Sequence, residues 1–158
     1  MLFSCSQAQL YTPALLASNM GATNSATPAT ITGCSWPIQA SKNYILEAEV
    51  WVTFVSSATI RFQLAGPGTA TSYNLSVEGP IAASAAYFQT SLTAQTSYAT
   101  LTTASGAPGA VTELVHVRGA IQNGTTASGT NLSLQTAANG TNNINVLANS
   151  NCQLRQVN

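Results

Sequence analysis

Charge is what this sequence lacks most. Asp, Glu, Lys and Arg together make up 5% of its 158 residues, whereas about 25% is usual for soluble domains. There is no aspartate, and the formal net charge is zero. The acidic and basic side chains are Glu47, Glu49, Glu78, Glu113, Lys42, Arg61, Arg118, Arg155 and His116. Because a neutral surface gives little repulsion between molecules, we expect a chain that packs against copies of itself or against a partner.

The scarcity of charge also excludes several partners. Nucleic-acid binding draws on clustered Lys and Arg that neutralise phosphates, and the four basic residues here are scattered along the chain. No apolar run reaches the roughly 20 residues that a membrane-spanning helix needs. The first 20 residues carry no positive charge and are interrupted by Pro13, which is unlike a secretory signal. We therefore expect neither nucleic acid nor membrane as a partner.

Recognisable catalytic and metal-binding motifs are missing as well. His116 is the only histidine, so any Ser–His or Cys–His pair would need it, and no nucleophile-elbow motif is present. The three cysteines, Cys5, Cys34 and Cys152, show no C-x-x-C spacing, which argues against a metal site. Their odd number and wide separation favour free thiols in a reducing cytoplasm. The sequence predicts a protein that is not an enzyme and has no catalytic residues, cofactor or metal.

Two glutamates are the closest approach to a catalytic pair. Glu47 and Glu49 lie two residues apart on a predicted strand, roughly 6.6 to 6.8 Å along it. That separation would suit an inverting glycosidase. The alternative is a solvated strand face with Arg61 as counter-charge across a β-hairpin, and the pattern favours this second interpretation.

Alternating hydrophobicity predicts an all-β chain. In residues 43–55 one set of side chains should face the core, namely Tyr44, Leu46, Ala48, Val50, Val52 and Phe54. Residues 59–64 should form a hairpin with this strand through Ser56-Ser57, and residues 111–121 alternate in the same way. Eight to ten short strands at this spacing indicate an antiparallel β-sandwich or barrel over residues 29–158. Residues 1–28 differ in composition and are predicted to form an N-terminal arm.

The arm and one strand face supply candidates for an assembly interface. Leu10, Tyr11, Leu15 and Leu16 cluster around Pro13, and such an arm either folds back on its own domain or docks on a neighbour. Ile45 and Trp51 share the strand face that points away from the core. They are either partly covered by the arm or a loop, or they contact another subunit, since exposed aromatic residues are enriched at interface centres.

The C-terminal part of the sequence resembles small bacteriophage virion proteins. The similarity rests on 116–124 (HVRGAIQNG), 128–135 (SGTNLSLQ), 146–150 (VLANS) and 152–157 (CQLRQV), and it extends upstream to Tyr44, Leu46, Val50 and 62–67 (FQLAGP). It covers about residues 35–157. Asn149 stands where those proteins usually have glycine, a mild departure because asparagine tolerates left-handed turns.

This resemblance implies a jelly-roll-like sandwich, often trimeric, on the surface of a virion. The first expectation is a capsid decoration (cement) protein. It would be made in the bacterial host cytoplasm and would bind the major capsid protein and copies of itself as a homotrimer. The alternative is a receptor-binding fibre-tip domain that recognises a host-surface glycan or protein. The resemblance brings no catalytic residues.

Overall fold

A computed structural model describes residues 13–20, 26–54, 59–80, 87–102, 105–106, 111–125, 130–138 and 143–157 of the chain. In these ranges the regular secondary structure consists of β-strands, and no helix is present. The strands are β1 (Ala14–Leu15), β2 (Ala29–Ile38), β3 (Asn43–Phe54), β4 (Thr59–Ala65), β5 (Thr69–Pro80), β6 (Tyr87–Ser97), β7 (Ser105–Gly106), β8 (Val111–Asn123), β9 (Thr130–Ala138), β10 (Ile144–Val146) and β11 (Asn151–Val157). Among the described residues there is consequently no helix that could span a membrane.

The strands form two antiparallel sheets with the strand order of a jelly roll. The larger sheet runs β1-β11-β3-β8-β5-β6, with β10 also paired to β3, and the smaller runs β2-β9-β4-β7. Within β2 to β9, only β5 and β6 are both consecutive and adjacent; every other connection crosses between the sheets. Such a double-sheet arrangement of eight strands is a jelly roll. The expected antiparallel, jelly-roll-like β-sandwich is confirmed.

The core lies between the two sheets and follows the predicted alternation. On β3 the side chains expected to point inward are all at most 4% exposed, namely Tyr44, Leu46, Ala48, Val50, Val52 and Phe54. The smaller sheet contributes Ile60, Phe62 and Leu64 from β4, each at most 1% exposed. Burying one large aliphatic or aromatic side chain stabilises the fold by about 1.5–3 kcal/mol. Because one face of β3 supplies its buried side chains, the other face can carry polar ones.

The predicted hairpin between β3 and β4 is wrong. β3 pairs with β8 over its whole length, from Asn43 opposite Gln122 to Phe54 opposite Val111. β4 lies in the opposite sheet and pairs with β9 and β7. A hairpin and a connection that crosses to the other sheet both place one apolar face of each strand on the core. Alternation and a local turn signal therefore cannot distinguish the two.

The prediction of free thiols is also wrong for two of the three cysteines. Cys34 on β2 and Cys152 on β11 form a disulfide with a Cα–Cα distance of 5.5 Å, across 118 residues of sequence. Because β2 and β11 belong to different sheets, the bond connects the two layers of the sandwich. Sequence spacing did not reveal the pair because the fold, not local chain geometry, brings them together. Cys5 lies outside the described residues.

The described part of the N-terminal arm folds back on its own domain. β1 pairs with β11, placing Leu15 opposite Asn151. Beyond it, the Leu16 amide donates to the Ser150 carbonyl at 2.9 Å, and the Met20 amide donates to the Val146 carbonyl at 2.9 Å. The arm thus forms the outermost strand of the larger sheet at this edge.

Candidate functional site

The outer face of the larger sheet carries two rows of polar side chains that cross its central strands. The strand register places Glu47 between Gln153 on β11 and Arg118 on β8, and Glu49 between Asn151 and His116. The rows continue onto β5, where Ser76 lies opposite Arg118 and Glu78 opposite His116. Side chains directly opposite each other on neighbouring strands are close enough to interact. The first row is Gln153, Glu47, Arg118 and Ser76, and the second is Asn151, Glu49, His116 and Glu78.

Amide side chains hold the two glutamates of β3 in place. Gln153 Nε2 donates to Glu47 Oε2 at 2.7 Å, and Asn151 Nδ2 donates to Glu49 Oε2 at 2.9 Å. An ionised carboxylate offers about four acceptor positions, so each retains capacity to accept further hydrogen bonds.

The cation near these carboxylates is not the predicted one. Arg61 was expected opposite Glu47 or Glu49, but it lies on β4 in the smaller sheet. Instead, Arg118 Nη1 forms a salt bridge with Glu78 Oε1 at 3.2 Å. Both side chains are substantially exposed, at 65% and 37%, and such surface pairs contribute little stability. The misplacement of Arg61 follows directly from the wrong hairpin.

Two adjoining depressions run along this face, and together we call them the outer-face groove. One has a volume of about 350 Å³ and its side-chain lining comes mainly from Glu47, Glu49, His116, Arg118, Asn151 and Gln153. The other has a volume of about 540 Å³ and is lined by Trp51, Glu78, Gly79, Pro80, Thr112, Glu113, Leu114 and His116. His116 lines both depressions, so the two are continuous with each other. Ligand pockets are commonly of this volume.

Trp51 stands at the apolar end of the groove. It is 39% exposed and follows Glu49 by two residues, so both side chains point to the same face. The groove therefore combines an aromatic side chain with fixed polar groups.

The residues predicted for an assembly interface have different locations. Leu15 is 68% exposed and, being opposite Asn151, lies on the same face as the polar rows. Leu16 is 3% exposed and belongs to the core, while Ile45 is half-buried on the outer face. Among the described residues, Leu15 and Trp51 are the large hydrophobic side chains that remain exposed. Leu10 and Tyr11 lie outside the described residues.

The sequence interpretation missed the amide partners and the grouping of His116 with the glutamates. The alternation of β8 did indicate that His116 and Arg118 point outward. Alternation does not indicate which strands flank β3. Asn151 and Gln153 could therefore not be predicted as partners of the two glutamates. No group of three or more His, Cys, Asp or Glu side chains suited to a metal ion occurs in the described part of the chain.

Comparisons with known proteins give a similarity of fold alone. No protein-family model matches the sequence, and no curated protein matches it. Among solved structures, the chain is similar to the Eiger TNF from S. frugiperda, with 10% sequence identity and a TM-score of 0.43. The similarity covers 95% of this chain and 94% of that one.

Proposed function

We propose that this protein is a non-enzymatic bacteriophage structural protein that decorates the capsid. It binds the outer surface of the head as a homotrimer and stabilises the shell. The observation that carries the proposal is the exposed apolar edge of the larger sheet, where Leu15 is 68% exposed on β1. A sheet edge can pair with a strand of another chain, and an exposed large apolar side chain beside it adds surface that such pairing would bury.

The edge strand offers a defined way to bind a partner. β1 is the last strand at its end of the larger sheet among the described residues. Sheet edges present backbone N–H and C=O groups to which an added strand can hydrogen-bond. A strand of the major capsid protein, or of a second copy of this chain, would cover Leu15 when it adds beside β1.

Composition and cross-linking support a role on a particle surface. The chain has zero net charge and 5% charged residues, which favours close packing in an assembly over free dispersal at high concentration. The disulfide between Cys34 and Cys152 is of a kind that persists in oxidising surroundings, virion surfaces included.

Binding to empty mature capsids of the phage that encodes the protein tests the proposal. We expect the purified protein to co-sediment with capsids at micromolar concentration and to raise their melting temperature. Leu15→Asn should weaken binding by about tenfold or more, equivalent to about 1.4 kcal/mol, because it removes the apolar contact at the edge. Thr30→Ala, an exposed position on the smaller sheet, is the matched control and should bind as the natural protein does. Absence of binding, or equal binding by Leu15→Asn, contradicts the proposal.

A second candidate function is that of a receptor-binding fibre tip, which the outer-face groove favours. The two candidates differ in copy number. A decoration protein covers the head in many copies, whereas a fibre tip is confined to a few sites on each particle. Quantitative mass spectrometry of purified particles distinguishes them.

A further inference from the structure

We infer that the outer-face groove binds a neutral or amino-bearing oligosaccharide. This activity goes beyond capsid decoration and does not depend on it, because the groove and the Leu15 edge use different side chains.

The first argument is the distribution of ionisable groups. The side chains of Glu47, Glu49, Glu78, Arg118 and His116 line the groove, whereas Glu113 lies opposite the inward-facing Val52. The other charged residues, Lys42, Arg61 and Arg155, do not line the groove. Most of the remaining polar residues of the sequence are Ser, Thr, Asn and Gln. This concentration, in a chain otherwise so poor in charge, sets the groove apart from the rest of the surface.

The second argument is that the polar groups are held in position before any ligand arrives. Glu47 and Glu49 each accept a hydrogen bond from an amide on β11, and both lie on an internal strand of the sheet. Each amide also has a second N–H and a carbonyl oxygen. Fixed donors and acceptors reduce the entropy cost of binding a ligand. Neighbouring hydroxyls of a sugar both donate and accept, so they match such an array.

The third argument is the aromatic side chain beside these groups. Trp51 is partly exposed, and Pro80 and Leu114 line the same end of the groove. The C–H face of a sugar ring is apolar and packs on a flat aromatic surface, while its hydroxyls point outward to polar neighbours. An amphipathic tryptophan next to carboxylates and amides provides both kinds of contact.

The composition of the groove favours a sugar over a protein as the occupant. Protein interface cores are depleted in glutamate, and covering these carboxylates with a dry protein surface would leave them poorly solvated. A sugar replaces the lost water with its own hydroxyls and tolerates bridging waters. Three glutamates, Glu47, Glu49 and Glu78, against one arginine and one histidine also leave the groove negative, which disfavours acidic sugars and phosphates.

A printed array of neutral, amino-bearing and acidic oligosaccharides tests the inference with the full chain. We expect the natural protein to bind neutral or amino-bearing members and to leave the acidic ones unbound. For each bound sugar, titration should change tryptophan fluorescence, because Trp51 is exposed whereas Trp36 is buried. Binding to none of the neutral or amino-bearing sugars overturns the inference.

Variants locate the site. Trp51→Ala should lower the affinity for the bound sugar by about tenfold or more, and Trp51→Phe should restore part of it by retaining a flat ring. Thr30→Ala, an exposed position on the smaller sheet, is the control and should bind the sugar unchanged. Capsid binding of the same variants is measured separately, so that failure of the capsid proposal and failure of this one remain distinguishable. Circular dichroism verifies that each variant is folded. Unchanged sugar binding by folded Trp51→Ala contradicts the inference. So does a result in which Trp51→Ala loses capsid binding while the natural protein binds no sugar.

Discussion

Three tyrosines belong to one buried cluster within the sandwich. The rings of Tyr73 and Tyr98 stack with their centroids 5.7 Å apart. The Tyr98 hydroxyl donates to Asn123 Oδ1 at 2.9 Å, and Asn123 Nδ2 donates to the Gln39 carbonyl at 2.7 Å. Burial is the main cause that raises the pKa of Tyr98 to about 12, and the neighbouring hydroxyls of Tyr44 and Tyr73 add to it. The neutral hydroxyl is therefore the form that the fold stabilises.

The raised pKa of Tyr98 predicts a specific loss of stability in alkali. An unfolded tyrosine ionises near pH 10, so the contribution of the neutral hydroxyl is complete below about pH 10 and is lost as the pH rises towards 12. Tyr98→Phe should reduce the steepness of the alkaline decline in unfolding free energy, measured by urea denaturation from pH 8 to 12. At pH 8 the same variant should be less stable by about 1–3 kcal/mol, since Asn123 loses its partner. If the unfolding free energy of Tyr98→Phe declined with pH as steeply as that of the natural chain, ionisation of Tyr98 would not be its cause.

The residue type at position 149 indicates the local backbone conformation from the sequence alone. The sequence resemblance placed it where glycine is usual, and its backbone φ is 68°, within the left-handed region that asparagine tolerates. The turn follows β10 and precedes β11. Local backbone demand of this kind can be inferred from residue type, whereas the partners of a buried tyrosine hydroxyl depend on the assembled fold.

Adjacent leucines on the arm have opposite environments. Leu16 is 3% exposed and Leu15 is 68% exposed. The arm also makes backbone hydrogen bonds around Leu16, whose amide donates to Ser150 and whose carbonyl accepts from Asn149. Leu16 is thus the apolar anchor that holds the edge strand in place, and Leu15 is the side chain that the strand presents.

Truncating the two leucines should therefore have unequal effects. Leu16→Ala removes a buried side chain and should destabilise the arm by about 2–5 kcal/mol, with faster amide hydrogen exchange across residues 14–20. Leu15→Ala, its matched control, should alter stability by no more than about 0.5 kcal/mol, as is usual for surface substitutions. Equal exchange rates in the two variants would contradict the anchoring role.

The elements themselves were predictable to different degrees. β3 could be inferred because six alternating pairs leave little ambiguity about which face is buried, and β8 alternates in the same way over four pairs. The pairing of β3 with β8 and β11 could not, because alternation describes one strand and carries no information about its neighbours. The polar rows of the candidate site depend on that pairing, so Glu47 and Glu49 were recognised whereas Asn151 and Gln153 were not.

One covalent bond connects the two sheets and closes a loop of more than a hundred residues. Cys34 and Cys152 are 118 positions apart, and closing a loop of that size restricts the unfolded chain strongly. Disulfides typically contribute about 2–4 kcal/mol, with about 4.7 kcal/mol expected from loop entropy for 100 residues. Neither the spacing nor the odd number of cysteines revealed this pair, because only the crossing of strands between sheets makes them neighbours.

Removing the disulfide should lower the unfolding free energy without changing the fold. We expect the double variant Cys34→Ser, Cys152→Ser to lose about 2–5 kcal/mol in guanidinium denaturation and to be insensitive to a reducing agent. The natural chain should lose a similar amount when reduced. Cys5→Ser serves as the control and should retain both the stability and the response to reductant. A natural chain whose stability is unaffected by reduction would rule out a stabilising disulfide.

The strand order also determines when the protein can fold during its synthesis. The smaller sheet requires β2 to meet β9, with Ala29 opposite Thr136, and the larger requires β3 to meet β11, with Asn43 opposite Val157. A ribosome must therefore translate β8, which ends at Asn123, before β3 finds its first neighbour, and β9, which ends at Ala138, before β2 finds its own. Such long-range topology folds slowly and leaves apolar strands uncovered meanwhile. We therefore expect newly made copies to aggregate more readily before they fold than those of a protein built from local hairpins.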